Sequence, residues 1–135
     1  MRFVDTNVLL YAISGDPSER SKADRANEIL AARNVALSVQ VLQEFYVQAT
    51  RESRTDRLSH AHAARLVEAF LRFPVQEVTT AVLVAAMATQ QRFGISYWDA
   101  AILEAARASG CDRVLSEDLS DAVDYAGMRV ENPFR

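Results

Sequence analysis

Four acidic residues of this sequence are spaced so that they could act together on a phosphate or an ion. Asp5 interrupts an apolar run, FVDTNVLLYA from Phe3 to Ala12, where a short strand must give way to a helix. No lysine is near it in sequence and Arg2 lies at the far end of the strand. Its partner therefore comes from elsewhere in the chain or is not protein. Glu44 lies beside Val41, Phe45 and Ala49, on the border of an apolar helical stripe. Asp99, in SYWDAAILEAA, borders a face made by Trp98, Ala101, Ile102 and Ala105. Asp118 directly follows an apolar strand in VLSED.

Taken singly, each acid has an ordinary explanation. Glu44 reads as a boundary glutamate with a packed stem and a wet head. Ser96 and Asp99 have the spacing of a capping box, and an acid in a first turn suits the helix dipole. Glu117, Asp118, Asp121 and Asp124 read as an acidic surface loop. Taken together, the four would crowd one end of one sheet. Carboxylates at close range raise one another's pKa unless they are protonated or neutralised. A hard divalent cation is the usual neutraliser, and oxygen donors without Cys or His select Mg²⁺ or Mn²⁺ over Zn²⁺. The expected site is a Mg²⁺ or Mn²⁺ centre built from Asp5, Glu44, Asp99 and Asp118.

The elements that must position these acids follow from periodicity and caps. Strands are expected over residues 2–5, 34–38, 75–78, 113–116 and 128–131. Helices are expected over 7–13, from the Asp16-Pro17 start with a Glu19 capping box to Arg33, and over 39–52 behind Ser38. Three more run from Ser59 to before Pro74, from Thr79 or Thr80 to Gly94, and from Ser96 to Gly110. Apolar strands alternating with helices predict an α/β fold: one domain over 1–135, with a parallel sheet of about five strands and helices on both faces. Ligands of such sheets bind beyond the carboxyl ends of the strands where the strand order reverses. Asp5 and Asp118 both fall at such ends.

On these residues the chain resembles PIN-domain proteins, and within them the ribonuclease toxins of VapBC-type toxin–antitoxin pairs. The resemblance spans essentially the whole chain. It rests on FVDTNVLLYA, QVLQEF with Glu44, ISYWDAAILEAA with Asp99 and RVLSEDL with Asp118, and GMRVENPF resembles the last strand of the family. It implies a PIN-like parallel sheet between helices, a Mg²⁺- or Mn²⁺-dependent endoribonuclease, and a cognate VapB-like antitoxin as partner. It matches Asp5, Glu44, Asp99 and Asp118 to the acidic constellation of the family. Ser116 matches a Ser/Thr supporting the site, and Asn7 a polar residue of the first turn. One departure is Ala122, where many relatives carry a glycine soon after the last motif.

The bulk properties agree. A net charge of −3 does not suit a general coat for polyanions. The single cysteine, Cys111, excludes an intrachain disulfide and suits a reducing compartment. With no secretory leader and no run long enough to cross a bilayer, a cytoplasmic protein is expected. Phe45, Tyr46, Phe70, Leu71 and Phe73 exceed the needs of one small core and suggest a homodimer. Arg51, Arg54, Arg57 and Arg65 form either a phosphate-tracking rim or a solvated face, and His60 and His62, two apart, do not share a helix face to bind zinc. Two other functions compete. A phosphotransfer enzyme would need a second aspartate after Asp5, where Asn7 stands, and a lysine after the fourth or fifth strand, where there is none. A catalytically inactive PIN-fold module that binds nucleic acid or protein would have no need of four retained acids.

Overall fold

A computed structural model of the chain describes residues 1–121 and 123–135. Ala122, the departure noted above, lies outside the described residues. The sheet has six strands in the order β3-β2-β1-β4-β6-β5. They are β1 (Arg2–Val4), β2 (Val35–Ser38), β3 (Val75–Gln76), β4 (Arg113–Leu115), β5 (Asp124–Tyr125) and β6 (Met128–Glu131). The first five in this order pair in parallel, and β5 returns antiparallel on β6. Phe3 and Val4, Val35 to Leu37, and Val114 and Leu115 are all buried. Consecutive strand residues point to opposite faces, so both faces of the sheet are covered.

β5 is the one strand not expected from the sequence. β5 and β6 are joined by the two residues Ala126 and Gly127, at φ 53 and 92, with Tyr125 paired to Met128. Positive φ at both central positions is the geometry of the tightest hairpin turns, normally signalled by Asn-Gly or Asp-Gly. An alanine in the first position hides that signal. Asp124 supports the turn by accepting the Gly127 N–H, and Arg107 donates to the carbonyls of Tyr125 and Ala126 at 2.8 Å each.

The helices are α1 (Thr6–Ala12), α2 (Arg20–Ala31), α3 (Val39–Ala49), α4 (His60–Phe70), α5 (Thr80–Phe93) and α6 (Tyr97–Ala108). Ser38, Ser59, Thr79 and Ser96 each cap the following helix through the side-chain oxygen, and Gly94 ends α5 at φ 65. The start at Asp16 differs from expectation. Pro17–Glu19 form a 3₁₀ turn before α2, and Glu19 accepts the Ser14 hydroxyl at 2.6 Å instead of closing a capping box. Helix α3 stops at Ala49, three residues early, and β3 covers only half of its expected run.

The residues expected to form a dimer surface are mostly core. Phe45, Phe70 and Phe73 are buried, with Phe45 and Phe70 edge-to-face at 5.2 Å, and of the five only Leu71 is well exposed. Exposed apolar side chains gather instead on and beside α5, at Val78, Leu83, Val84 and Met87.

The chain runs from β1 outward through β2 to β3, then returns to the other side of β1 as β4. The strand order therefore reverses between β1 and β4. At their carboxyl ends the Asp5 N–H still donates to the Leu115 carbonyl at 3.0 Å, so this pairing reaches one residue past β1. The pairing fixes Asp5 against the start of the loop after β4.

Candidate active site

Asp5, Glu44, Asp99 and Asp118 line one cleft of about 130 Å³ beyond that reversal. Four different segments supply them: the end of β1, the second turn of α3, the first turn of α6 and the loop after β4. They differ in burial. Asp5 is buried, Glu44 and Asp99 are half-buried, and Asp118 is exposed at the mouth.

Asp5 is held by both oxygens. Oδ1 accepts the Thr6 N–H at 2.7 Å and so caps α1, while Oδ2 accepts the Ser116 hydroxyl at 2.7 Å. Ser116 Oγ in turn accepts the N–H groups of Asp118 and Leu119 at 3.1 and 3.2 Å. Asn7 binds the same loop from the other side. Its Nδ2 donates to Asp118 Oδ2 at 3.2 Å, and its Oδ1 accepts the Glu117 N–H at 3.3 Å. The two polar residues picked out beside the acids thus hold Asp5 and Asp118 in place.

Glu44 and Asp99 are joined through a residue the sequence reading missed. Gln40, one turn before Glu44, donates to Glu44 Oε1 at 3.1 Å and to the Trp98 carbonyl at 3.2 Å. It pins α3 to the first turn of α6. A glutamine one helical turn from a candidate acid is the only trace of this in the sequence. Asp99 has the spacing of a capping box but closes only one side of it. Its N–H donates to Ser96 Oγ at 3.1 Å, but its carboxylate makes no return bond to Ser96 among the described residues. Half of a capping box is formed, and the carboxylate faces the cleft.

The acidic loop divides by role. Glu117 accepts from Tyr11 Oη and Lys22 Nζ. Asp121 accepts the Asn132 N–H and Arg135, and Asp124 serves the hairpin. Only Asp118 turns to the acids. Of the basic stretch, Arg54 reaches an adjoining cavity shared with Asn7, Leu10 and Asp118, but it is paired with Asp56 at 2.9 Å. Arg51, Arg57 and Arg65 are exposed, as are His60 and His62, with His60 bonded to Tyr46 Oη at 2.8 Å.

The electrostatics are those of an uncompensated cluster. Among the described residues none of the four acids lies within ion-pair distance of a lysine or arginine. Burial, joined by the charges of Glu44 and Asp118, pushes the Asp5 carboxyl up to about 6 against the pull of the Ser116 and Thr6 hydrogen bonds. Burial also raises Glu44, and the nearby charges of Asp99 and Asp118 add to this. Thr6 Oγ1 is buried in the cleft wall beside Glu44. No three Asp, Glu, His or Cys side chains among the described residues stand close enough to cage an ion by themselves.

The raised Asp5 value has a testable sign. With a folded value near 6 and an ordinary value of 3.8, the folded state holds more protons between about pH 4 and 6. On this account the metal-free protein loses stability as pH rises through that window and stays level above it. Asp5→Asn lacks the titration. Its melting temperature minus that of wild type should therefore climb from about pH 4 to about pH 6. A flat difference would contradict the burial of this carboxylate.

Several solved structures share the fold. A toxin–antitoxin complex from Klebsiella pneumoniae matches at TM-score 0.73 and 21% identity, covering 98% of each chain. VapC20 of Mycobacterium tuberculosis, a toxin that cleaves the sarcin–ricin loop, matches at 0.68 and 22%, covering 87% of this chain and 92% of that one. FitAcB from Neisseria gonorrhoeae matches at 0.69 and 19%, covering 99% of each. No curated protein matches the chain. The family profile of the PIN domain matches residues 2–122, nearly the whole chain and every one of the residues lining the acidic cleft, so this chain belongs to the PIN domain family.

Proposed function

We propose that this protein is a metal-dependent endoribonuclease, the toxin of a type II toxin–antitoxin pair. The observation that carries the reading is the convergence of four carboxylates, none paired with a basic side chain among the described residues, at the strand-order reversal. The oxygen-only donors suit Mg²⁺ or Mn²⁺, with Asp5 and Asp99 as its main holders and Glu44 and Asp118 completing a second metal site or orienting the bound waters. Bound there, the ion supplies Lewis acidity to the phosphoryl oxygens and a more acidic water.

The chain's own groups account for the rest. Ser116 and the Thr6 N–H fix the orientation of Asp5, and Asn7 does the same for Asp118. Gln40 occupies Glu44 Oε1, which leaves Oε2 to take a proton from the attacking water. The oxygen of that water bonds to phosphorus, the bond from phosphorus to the 3′ oxygen breaks, and the 3′ oxygen takes up a proton. The products are a 5′-phosphate and a 3′-hydroxyl. The toxin–antitoxin complexes among the similar structures support a VapB-like antitoxin as partner, and the exposed apolar side chains on α5 support a homodimer. No described helix is long and apolar enough to cross a membrane, in keeping with the cytoplasmic site we propose.

The test is cleavage of single-stranded RNA by the purified, antitoxin-free chain in Mg²⁺ or Mn²⁺ and in EDTA. Cuts bearing 5′-phosphates that disappear in EDTA are expected. Undiminished cutting in EDTA would remove the metal from the mechanism. RNA binding with no cutting under either condition would make the chain an inactive binding module.

A further inference from the structure

Trp98 is two-thirds exposed, the most exposed of the large apolar side chains, yet it lines the acidic cleft. The exposed part of the indole is costly to leave in water. Its place is fixed. The ring rests edge-on against Tyr97 at 5.1 Å, and its backbone carbonyl accepts from Gln40, the residue that also holds Glu44. The Trp98 backbone and the Glu44 carboxylate are therefore tied by one side chain.

The position of the ring says what it is for. Trp98 is exposed at the edge of the same cleft that Asp5, Glu44, Asp99 and Asp118 line, beside where a phosphate held among the acids would lie. Resting on the functional reading above, we propose that Trp98 is a stacking platform for one unpaired base next to the phosphate held in the acidic cleft. Every base has a π-face, so stacking selects unpaired nucleotides without demanding a sequence. The site would thus favour single strands and loops through one side chain. On its other side the ring borders a groove lined by Val78, Leu83 and Tyr97, so a protein surface is the competing occupant.

Trp98 is the only tryptophan of the chain, so its emission reports on this ring alone. The probes are a phosphorothioate oligoadenylate, which is cut slowly, and a ribose-phosphate chain of equal length without bases, both in Mg²⁺. The oligoadenylate should quench the emission and the base-free chain should not. Trp98→Ala should weaken oligoadenylate binding about 5- to 150-fold, as loss of one stacked base does. Trp98→Phe should recover most of it, and both variants should bind the base-free chain as wild type does. In cleavage assays Trp98→Ala should raise KM and leave kcat nearly unchanged. Equal binding of the two probes by wild type, or undiminished oligoadenylate binding by Trp98→Ala, overturns the proposal. So does a fall of Trp98→Ala from dimer to monomer in light scattering, which would assign the ring to a second copy. Cleavage without base-dependent quenching sinks the platform and spares the nuclease; base-dependent quenching without cleavage does the reverse.

Discussion

Asp99→Asn should cut RNA cleavage by at least ~10²-fold, the usual loss when one preorganised electrostatic element is removed from an active site. The substitution keeps shape and removes charge. No protein hydrogen bond of the Asp99 carboxylate is lost, because among the described residues it makes none. The loss should therefore appear in kcat, with folding and secondary structure unchanged. Asp5→Asn should lose at least as much, since Asp5 is the most buried of the four and is fixed by Thr6 and Ser116. Initial rates on one RNA in Mn²⁺, for wild type and both variants, decide the matter. Two variants that cut at the wild-type rate would remove these carboxylates from the chemistry.

The second large effect is on folding. Burial first, and the charges of neighbouring acids after it, make the ionised forms of Asp5 and Glu44 unfavourable in the metal-free fold. An ion that binds only the folded state adds ~2.7 kcal/mol at a hundred times its dissociation constant. For a domain of this length that is a melting-temperature rise of roughly 6–15 °C. Asp99→Asn acts on both sides of this balance. It removes a charge that pushes Glu44 upward, so the metal-free variant should melt at the wild-type temperature or higher. It also removes a ligand, so the rise produced by Mn²⁺ should shrink sharply. If Asp99 served only the helix dipole, its loss would lower the metal-free melting point slightly and leave the response to Mn²⁺ whole. Melting curves of the two proteins in Mn²⁺ and in EDTA separate the cases. An equal gain by both would show that Asp99 is not a ligand.

Most of the frame could be read from the sequence because each cue was local. The serine and threonine caps, the stop at Gly94 and the apolar strands act within a few residues, and they put the starts of α3, α5, α6 and β4 where expected. The candidate acids could be named because strand ends and helix starts place them. What could not be read depends on contacts between distant segments. Gln40 matters only because α6 brings the Trp98 carbonyl to it, and Glu117 is set apart from Asp118 only by Tyr11 and Lys22. The β5–β6 hairpin was hidden by Ala126 in a position that usually announces itself with asparagine or aspartate. The core phenylalanines looked like surplus because amphipathic spacing does not count how many neighbours a side chain will meet.

The unequal anchoring of Asp5 and Asp99 has a genetic consequence. Losing the Asp5 side chain removes the cap of α1 and the acceptor of the Ser116 hydroxyl, so most substitutions there loosen the fold as well as the chemistry. Losing the Asp99 side chain breaks no bond to protein among the described residues. In a population of cells selected for survival under the proposed toxin, escape alleles at position 99 would encode folded, long-lived, inert protein. Such protein could still occupy the antitoxin and free any active copies beside it. Alleles at position 5 would tend to be degraded and recessive. The same loss of function would thus be inherited differently from two positions of one site.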